Sequence, residues 1–256
     1  MKATLTVMGS GTSMGVPTIG CRCAVCTSSD PRDRRTRPSV LLDYDGRRVL
    51  IDTTPDFRQQ AIREGIRTLD AVIYTHSHAD HVLGLDDLRP LTFHGSSNIP
   101  LYAQPETAAV LRRMFSYIFE GDYKYGGLAR VELREFNGPL DLFGAVFEPV
   151  PILHGDAEII GFRFGEAAYL TDFSEIPQAS MARLAELDIL FLDALRHKPH
   201  PTHSTVDNSL LLVEQLKPKR AYFTHISHDL AHEATNAALP PHVRLAHDGL
   251  KLEFEI

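Results

Sequence analysis

Between positions 75 and 81 the chain reads Thr75-His76-Ser77-His78-Ala79-Asp80-His81, three imidazoles and a carboxylate within a few residues. The preceding Asp70-Ala71-Val72-Ile73-Tyr74 is a short apolar run, which reads as a buried strand. The cluster therefore sits where a strand runs out into a loop. Neutral imidazole is the commonest side-chain metal ligand, and carboxylate oxygen suits the same borderline cations. In an extended chain His76, His78 and Asp80 project to one side, and His81 joins them only if the chain turns. One ion does not comfortably use four such groups, whereas a pair of ions does. A polar loop of internally satisfied histidines is the plainer alternative, and the density and placement of the cluster argue against it.

At 256 residues with 43% hydrophobic side chains, the chain can bury a sizeable core, and we read 1–256 as a single domain. A formal net charge of −7 speaks against a broad nucleic-acid footprint. There is no long apolar run that would span a membrane. The first residues, Met1-Lys2-Ala3-Thr4-Leu5-Thr6-Val7-Met8, alternate like a strand and lack the apolar stretch of a secretory signal, so a cytoplasmic location is expected. The three cysteines all fall between positions 21 and 26. Such a set argues for metal rather than disulfides.

Read in order, a strand over residues 4–8 is followed by the glycine-rich Gly9-Ser10-Gly11-Thr12-Ser13-Met14-Gly15-Val16-Pro17. No Gly-Lys-Ser/Thr closes it and no helix pattern follows at once, so it is read as a tight loop beside the site, offering backbone N–H groups to an anion. Cys21-x-Cys23-x2-Cys26 puts three thiolates on one short loop, three of the four ligands of a closed tetrahedral zinc site. The Arg-rich segment 30–38 reads as a solvated surface loop. Residues 39–43 and 48–52 form a hairpin about Asp45-Gly46. Thr53-Thr54-Pro55-Asp56 caps a helix that stops at Gly65. Asp52, at a strand end, either braces a ligand imidazole or serves the turn. A helix is predicted from Gln104-Pro105 through Ile118, and Tyr117, Phe119, Tyr123 and Tyr125 read as satellite core. Ser204 to Asp207 has capping-box spacing and opens a helix over 208–216. A final helix over 229–238 and a closing strand over 250–254 complete the chain.

One arrangement recurs: a strand, then His or Asp at its end. It occurs at 76–81, at His154, at Asp172 and at His225. Ligands gathered from the ends of several strands are what a rigid site on a sheet scaffold requires. The pattern His-x-His-x-Asp-His, followed in order by His154, Thr171-Asp172 and Thr224-His225, resembles the metallo-β-lactamase superfamily of hydrolases. That resemblance implies an α+β fold, a four-layer αββα sandwich. His76, His78, His154 and Asp172 would hold one divalent metal. Asp80, His81, His225 and the other oxygen of Asp172 would hold a second, roughly 3.5–4 Å away. Water held between two such metals loses a proton near neutral pH and becomes the nucleophile.

Within the superfamily, Gly9 to Pro17, Gly20-Cys21-Arg22-Cys23-Ala24-Val25-Cys26 and Thr224-His225-Ile226-Ser227-His228 resemble the phosphoribosyl cyclic phosphate phosphodiesterases. This implies two catalytic ions, manganese or zinc, and a structural zinc on Cys21, Cys23, Cys26 and His228. It makes His203 the acid or phosphate-contacting histidine and gives Asp80 a part in proton transfer as well as ligation. The expected substrate is a small, cyclic phosphate ester, and family analogy allows a homodimer. A transfer-RNA-processing endonuclease would share the ligands but need a basic arm, which this acidic chain lacks. A thioesterase or lactonase would use the same metals on a carbonyl, and a binding module would keep them without turnover.

Overall fold

A computed structural model describes residues 1–93, 98–120 and 127–256. Tyr123 and Tyr125 of the aromatic stretch lie outside the described residues. Fourteen strands are present among them: β1 (Lys2–Gly9), β2 (Ser39–Tyr44), β3 (Arg47–Ile51), β4 (Ala71–Ile73), β5 (Ile99–Ala103), β6 (Val131–Glu135), β7 (Leu140–Leu142), β8 (Ala145–His154), β9 (Ala157–Phe164), β10 (Ala167–Leu170), β11 (Ile189–Asp193), β12 (Arg220–Thr224), β13 (Val243–Leu245) and β14 (Lys251–Glu255). They form two seven-stranded sheets, ordered β14-β1-β2-β3-β4-β5-β6 and β13-β12-β11-β10-β9-β8-β7. Each sheet is antiparallel in one half and parallel in the other: β3 to β6 run parallel, as do β10 to β13.

The alternation of side chains explains the layers. In β3, Val49 and Ile51 enter the core between the sheets, while Leu50 faces the opposite way into a second core. In β11, Ile189 and Phe191 face the first sheet, and Leu190 and Leu192 face outward into a third core. Both faces of the central strands are apolar because both are covered, as buried parallel strands require. Helices Phe57–Arg63 and Pro105–Met114 contribute Phe57, Ala61, Ala108 and Leu111 to one outer core. Helix Val206–Leu216 contributes Val206 and Val213 to the other. The result is the four-layer αββα sandwich. No helix among the described residues is long and apolar enough to cross a membrane.

Local differences from the sequence reading have identifiable causes. The helix expected after Thr53 begins at Phe57, because the Thr54 hydroxyl accepts from the Asp56 amide in a turn before the helix. The helix expected to reach Ile118 stops at Met114, and a separate turn covers Ser116–Phe119. Thr205, not Ser204, caps the helix at 206, accepting from the Asn208 amide; the Ser204 hydroxyl is buried against Ser209. The last helix starts at His232 rather than Asp229. The glycine-rich loop packs against residues 35–37 so closely that a Cβ on Gly9 would meet the Arg37 carbonyl at 1.9 Å, and one on Gly11 the Arg35 carbonyl at 2.8 Å. Those two glycines are there for backbone approach.

Candidate active site

The parallel strands and β8 end on the same side of the sandwich, and the side chains the sequence singles out collect there. After β4 the chain passes Thr75 and His76, then turns: His78 is extended and leads into the helical turn Ala79–Val82. That turn separates the cluster into two sets. Asp80 goes with His81, not with His76 and His78 as extended alternation would have it. Donor atoms of Asp80, His81, Asp172 and His225 lie within 4.8 Å of one another, as do those of His76, His78 and Asp172. Asp172 belongs to both sets. Its Oδ2 lies 3.3 Å from His81 Nε2 and 3.9 Å from His76 Nε2, and its Oδ1 lies 3.1 Å from His225 Nε2. His154, at the end of β8, forms a further group with Asp172 and His203, its ring centroid 5.0 Å from that of His78.

Three of the strand-end residues, Asp52, Asp172 and His225, have left-handed backbone conformations, with φ of 67°, 60° and 56°. This conformation is costly outside glycine, least so for Asp, Asn and His, and it collects at functional sites. Here it swings each side chain from the end of its strand into the space between the sheets.

The imidazoles are held from behind. His81 Nδ1 donates to Asp52 Oδ2 at 2.7 Å, and Asp52 in turn accepts from the amide and hydroxyl of Thr75, each at 2.8 Å. Of the two roles open to Asp52 from sequence, bracing an imidazole is therefore the one it has. His154 Nδ1 donates to the Thr202 carbonyl at 2.9 Å, and His203 Nδ1 to Asp193 Oδ2 at 2.8 Å. Thr171 Oγ1 donates to Asp172 Oδ1 at 2.8 Å. Fixing Nδ1 in this way leaves Nε2 free for a ligand.

Several of those inward atoms are buried and face carboxylates or one another without completing a hydrogen bond: Nε2 of His76, His81 and His225, and Oδ2 of Asp80. Buried polar atoms left unpaired are expensive, and a group of them pointing at one place fits a cation. Charge tells the same story. Burial drives His76 well below the ordinary imidazole range. Burial also opposes charge on His81 and His225, yet the facing carboxylates, Asp172 first, override it, raising His81 well above that range and His225 to about 10. The carboxylates thus call for positive charge at this spot, which a proton or a metal ion can supply. His203 is lowered to about 4 by burial and then by His225.

A second cluster lies at the cysteine loop. Cys21, Cys23 and Cys26 Sγ stand 3.3, 3.4 and 3.5 Å from His228 Nδ1. Ordinary zinc–sulfur and zinc–nitrogen bonds at tetrahedral angles imply an S···N edge of about 3.5 Å, so this donor set fits zinc closely. Amides of Cys23, Cys26 and Thr18 donate to the sulfurs of Cys21, Cys23 and Cys26. The Cys26 amide chiefly lowers Cys23 to about 6, whereas burial raises Cys26 to about 11.

Sequence reasoning missed three supports. Asp193, which ends β11 and orients His203, carries no motif of its own. The carbonyl of Thr202 leaves no trace in residue type. The third is a correction: Asp33 and Arg35, expected on a solvated surface loop, are buried. Arg35 donates to Asp33 Oδ1 at 3.0 Å and to the carbonyls of Ser227 and Leu230 at 2.8 and 2.7 Å, clamping the segment that carries His225 and His228.

Comparison with known proteins agrees with this geometry. Residues 47–226 match the model of the β-lactamase superfamily domain. A crystal structure described as a new diphosphatase from the PhnP family is 64% identical, covers 99% of this chain and 98% of its own, and superposes with a TM-score of 0.94. An octanoyltransferase of Porphyromonas gingivalis is 40% identical over 250 residues, 96% of this chain but 50% of that protein, so the chain spans half the length of this relative. A ribonuclease Z of Bradyrhizobium diazoefficiens is 30% identical over 146 residues, 56% of this chain and 48% of that protein. With strand order, strand-end donors and these matches in agreement, the chain belongs to the β-lactamase superfamily, in the PhnP family.

Proposed function

We propose that the protein is a phosphodiesterase acting on a small, cyclic phosphate ester, with two divalent ions, manganese or zinc, at the strand ends and one structural zinc at the cysteine loop. The observation that carries this reading is Asp172, whose two oxygens face imidazoles of both donor sets. His76, His78 and His154 would hold one ion with Asp172; Asp80, His81 and His225 would hold the other. When bound, such a pair supplies Lewis-acid charge to phosphoryl oxygens and lowers the pKa of water toward neutrality. The chain's own groups do the rest. Asp52 and the Thr202 carbonyl fix the rings of His81 and His154. Asp80, buried and with one oxygen unpaired, can take a proton from the attacking water. His203 stacks on His225 with centroids 4.7 Å apart, held by Asp193 at the side of the cluster, where the negative charge of a bound phosphate would favour a proton on its Nε2, which can then contact a phosphoryl oxygen or protonate the leaving alkoxide. Cys21, Cys23, Cys26 and His228 make a closed set with no position left for substrate, as a structural site does. The net charge of −7 weighs against nucleic acid as substrate. A cytoplasmic location and a homodimer belong to the same reading.

The diphosphatase relative favours one variation, in which the bond cleaved is the phosphoanhydride of a disubstituted diphosphate. The test is hydrolysis of bis(p-nitrophenyl) phosphate and of a disubstituted diphosphate, with and without added manganese, with metal analysis of the same sample. Metal-dependent turnover with about three ions per chain is expected. Turnover of thioesters or lactones instead, with the same ions present, would move the activity to carbonyl substrates.

A further inference from the structure

The loop between β11 and helix Val206–Leu216 carries His197, His200 and His203, and the reaction above uses only the last of them. His200 is fixed more firmly than an idle loop residue needs to be. Pro199 and Pro201 flank it and confine its backbone. Arg196 holds the loop from within, donating through Nε to the Lys198 carbonyl at 3.2 Å and through Nη2 to the Pro199 carbonyl at 3.3 Å. The Thr202 amide donates to His200 Nδ1 at 3.3 Å, and the Thr202 hydroxyl lies 3.2 Å from the same nitrogen. An amide can only donate, so Nδ1 is an acceptor and the ring proton sits on Nε2. Burial first, then His203, lowers His200 from the ordinary imidazole value, which keeps the ring neutral at pH 7. The Nε2–H, at the opposite edge of the ring, has no hydrogen-bond partner among the described residues. The ring of His200 stands 4.9 Å from that of His203, centroid to centroid, and both line a cavity of about 540 Å³ that also reaches Ser174 and Asn208. That cavity meets the strand-end cluster at His203, whose donor atom lies within 4.8 Å of those of His154 and Asp172.

We propose that His200 is a second substrate-contacting histidine, whose Nε2–H donates to a non-bridging phosphoryl oxygen while His203 serves the departing oxygen. This rests on the phosphodiesterase reading above and adds one residue to the group that holds the phosphoryl centre. It applies alike to a cyclic ester and to a disubstituted diphosphate, because both present a non-bridging oxygen beside the departing one. A neutral donor suits that oxygen: it gives one directed hydrogen bond to an anionic acceptor and takes no proton from His203. The plainer role for His200 is architectural. It would steady Thr202, whose carbonyl accepts from His154 Nδ1 at 2.9 Å. That role needs only Nδ1 of His200 and the proposed one needs only Nε2, so substitution can separate them.

The amide oxygen of Asn falls close to the place of Nδ1 in His, and the amide nitrogen of Gln close to the place of Nε2. His200→Asn therefore keeps an acceptor for Thr202 and loses the outer donor, whereas His200→Gln does the reverse. The test measures kcat/KM of the metal-loaded full chain on ethyl p-nitrophenyl phosphate and ethyl phenyl phosphate, with Tm and metal content of each sample. The two esters share the retained arm and differ in how readily the leaving group departs. His200→Asn is expected to lose about 10- to 100-fold on both esters, the worth of one hydrogen bond to a charged acceptor, at unchanged Tm and metal content. His200→Gln should recover most of that loss. Wild-type rates in His200→Asn overturn the proposal. A His200→Gln variant as slow as His200→Asn, or loss of strand-end ions from either, overturns it in favour of the brace on Thr202. A loss confined to the phenyl ester overturns it by making His200 the acid for the departing oxygen. If the wild-type chain hydrolyses neither ester with metals bound, the phosphodiesterase reading falls and this proposal with it.

Discussion

At the cysteine loop, three of four donors come from six consecutive residues, and the fourth, His228, closes the set. At the strand ends, donors come from four separated stretches, with His81, His154 and Asp172 braced from behind, and one carboxylate is shared between two groups. The first plan fixes a loop; the second leaves one side accessible and keeps its donors apart until the whole sandwich has formed. Yet the two are not independent. His225 and His228 lie on one short segment, and buried Arg35 grips that segment through the Ser227 and Leu230 carbonyls. The comparison therefore teaches that a closed centre can act as the abutment of an open one. It can be broken by treating each centre separately and asking what the other does.

The largest effect should come from Asp172→Asn, which leaves the cysteine loop untouched. Losing the shared carboxylate is expected to lower kcat/KM by about 10³-fold or more, given the several kcal/mol that such ions contribute. Metal analysis should find the strand-end ions depleted and one zinc per chain retained. Loss of that zinc as well would show that the centres stand or fall together.

A smaller loss is expected from Asp52→Asn, which keeps shape but weakens the acceptor behind His81. Outer partners of metal ligands typically contribute 10–100-fold, so activity should fall by about that factor and added metal should restore part of it. An unchanged metal requirement would mean that His81 does not need a charged acceptor behind it to hold its ring.

Cys23→Ser sharpens the comparison from the other side. It should release one zinc and lower Tm by at least about 5 °C, corresponding to roughly 2 kcal/mol for a chain of this size. Activity of the folded fraction should fall only a few-fold, because Arg35 still grips the segment of His225 through the Ser227 and Leu230 carbonyls. A loss as large as that of Asp172→Asn would place the cysteine centre in the catalytic machinery itself.

How much of this was legible beforehand follows from what residue types encode. Apolar runs bounded by turns identified the central strands, because both of their faces are buried and the signal is doubled. β13, three residues long, went unread, being too short to carry a period. The donors His76, Asp80, His81, His154, Asp172 and His225 were visible because they repeat one arrangement, polar ligand after strand. Their grouping came from the family resemblance and not from strand alternation, which puts Asp80 with His76 and His78, because it depends on the helical turn at Ala79 and on left-handed backbone at Asp172 and His225. Arg35 was misread because an arginine among arginines looks solvated; only the fold reveals that three carbonyls and Asp33 surround it.

The smallest expected effect concerns acid. His232 sits on the clamp between the cysteine loop and Arg35: its amide donates to Asp33 Oδ1, and its ring is 3% exposed with Nδ1 unpaired. Burial, then the charges of Arg32, His247 and Arg35, lower it to about 4. The unfolded chain takes up this proton near pH 6.5 and the folded chain only near 4. The folded state is therefore fully favoured by this group above pH 6.5 and loses that advantage as pH falls from 6.5 toward 4. At pH 5 the loss amounts to about 2 kcal/mol at most, or a few degrees in Tm. His232→Gln, measured by thermal unfolding at pH 7.5 and pH 5, should flatten that part of the acid dependence while leaving kcat at pH 7.5 within about twofold. If the acid dependence is the same in the variant, the protons that loosen the fold enter elsewhere, and the clamp is not the part of this molecule that acid reaches first.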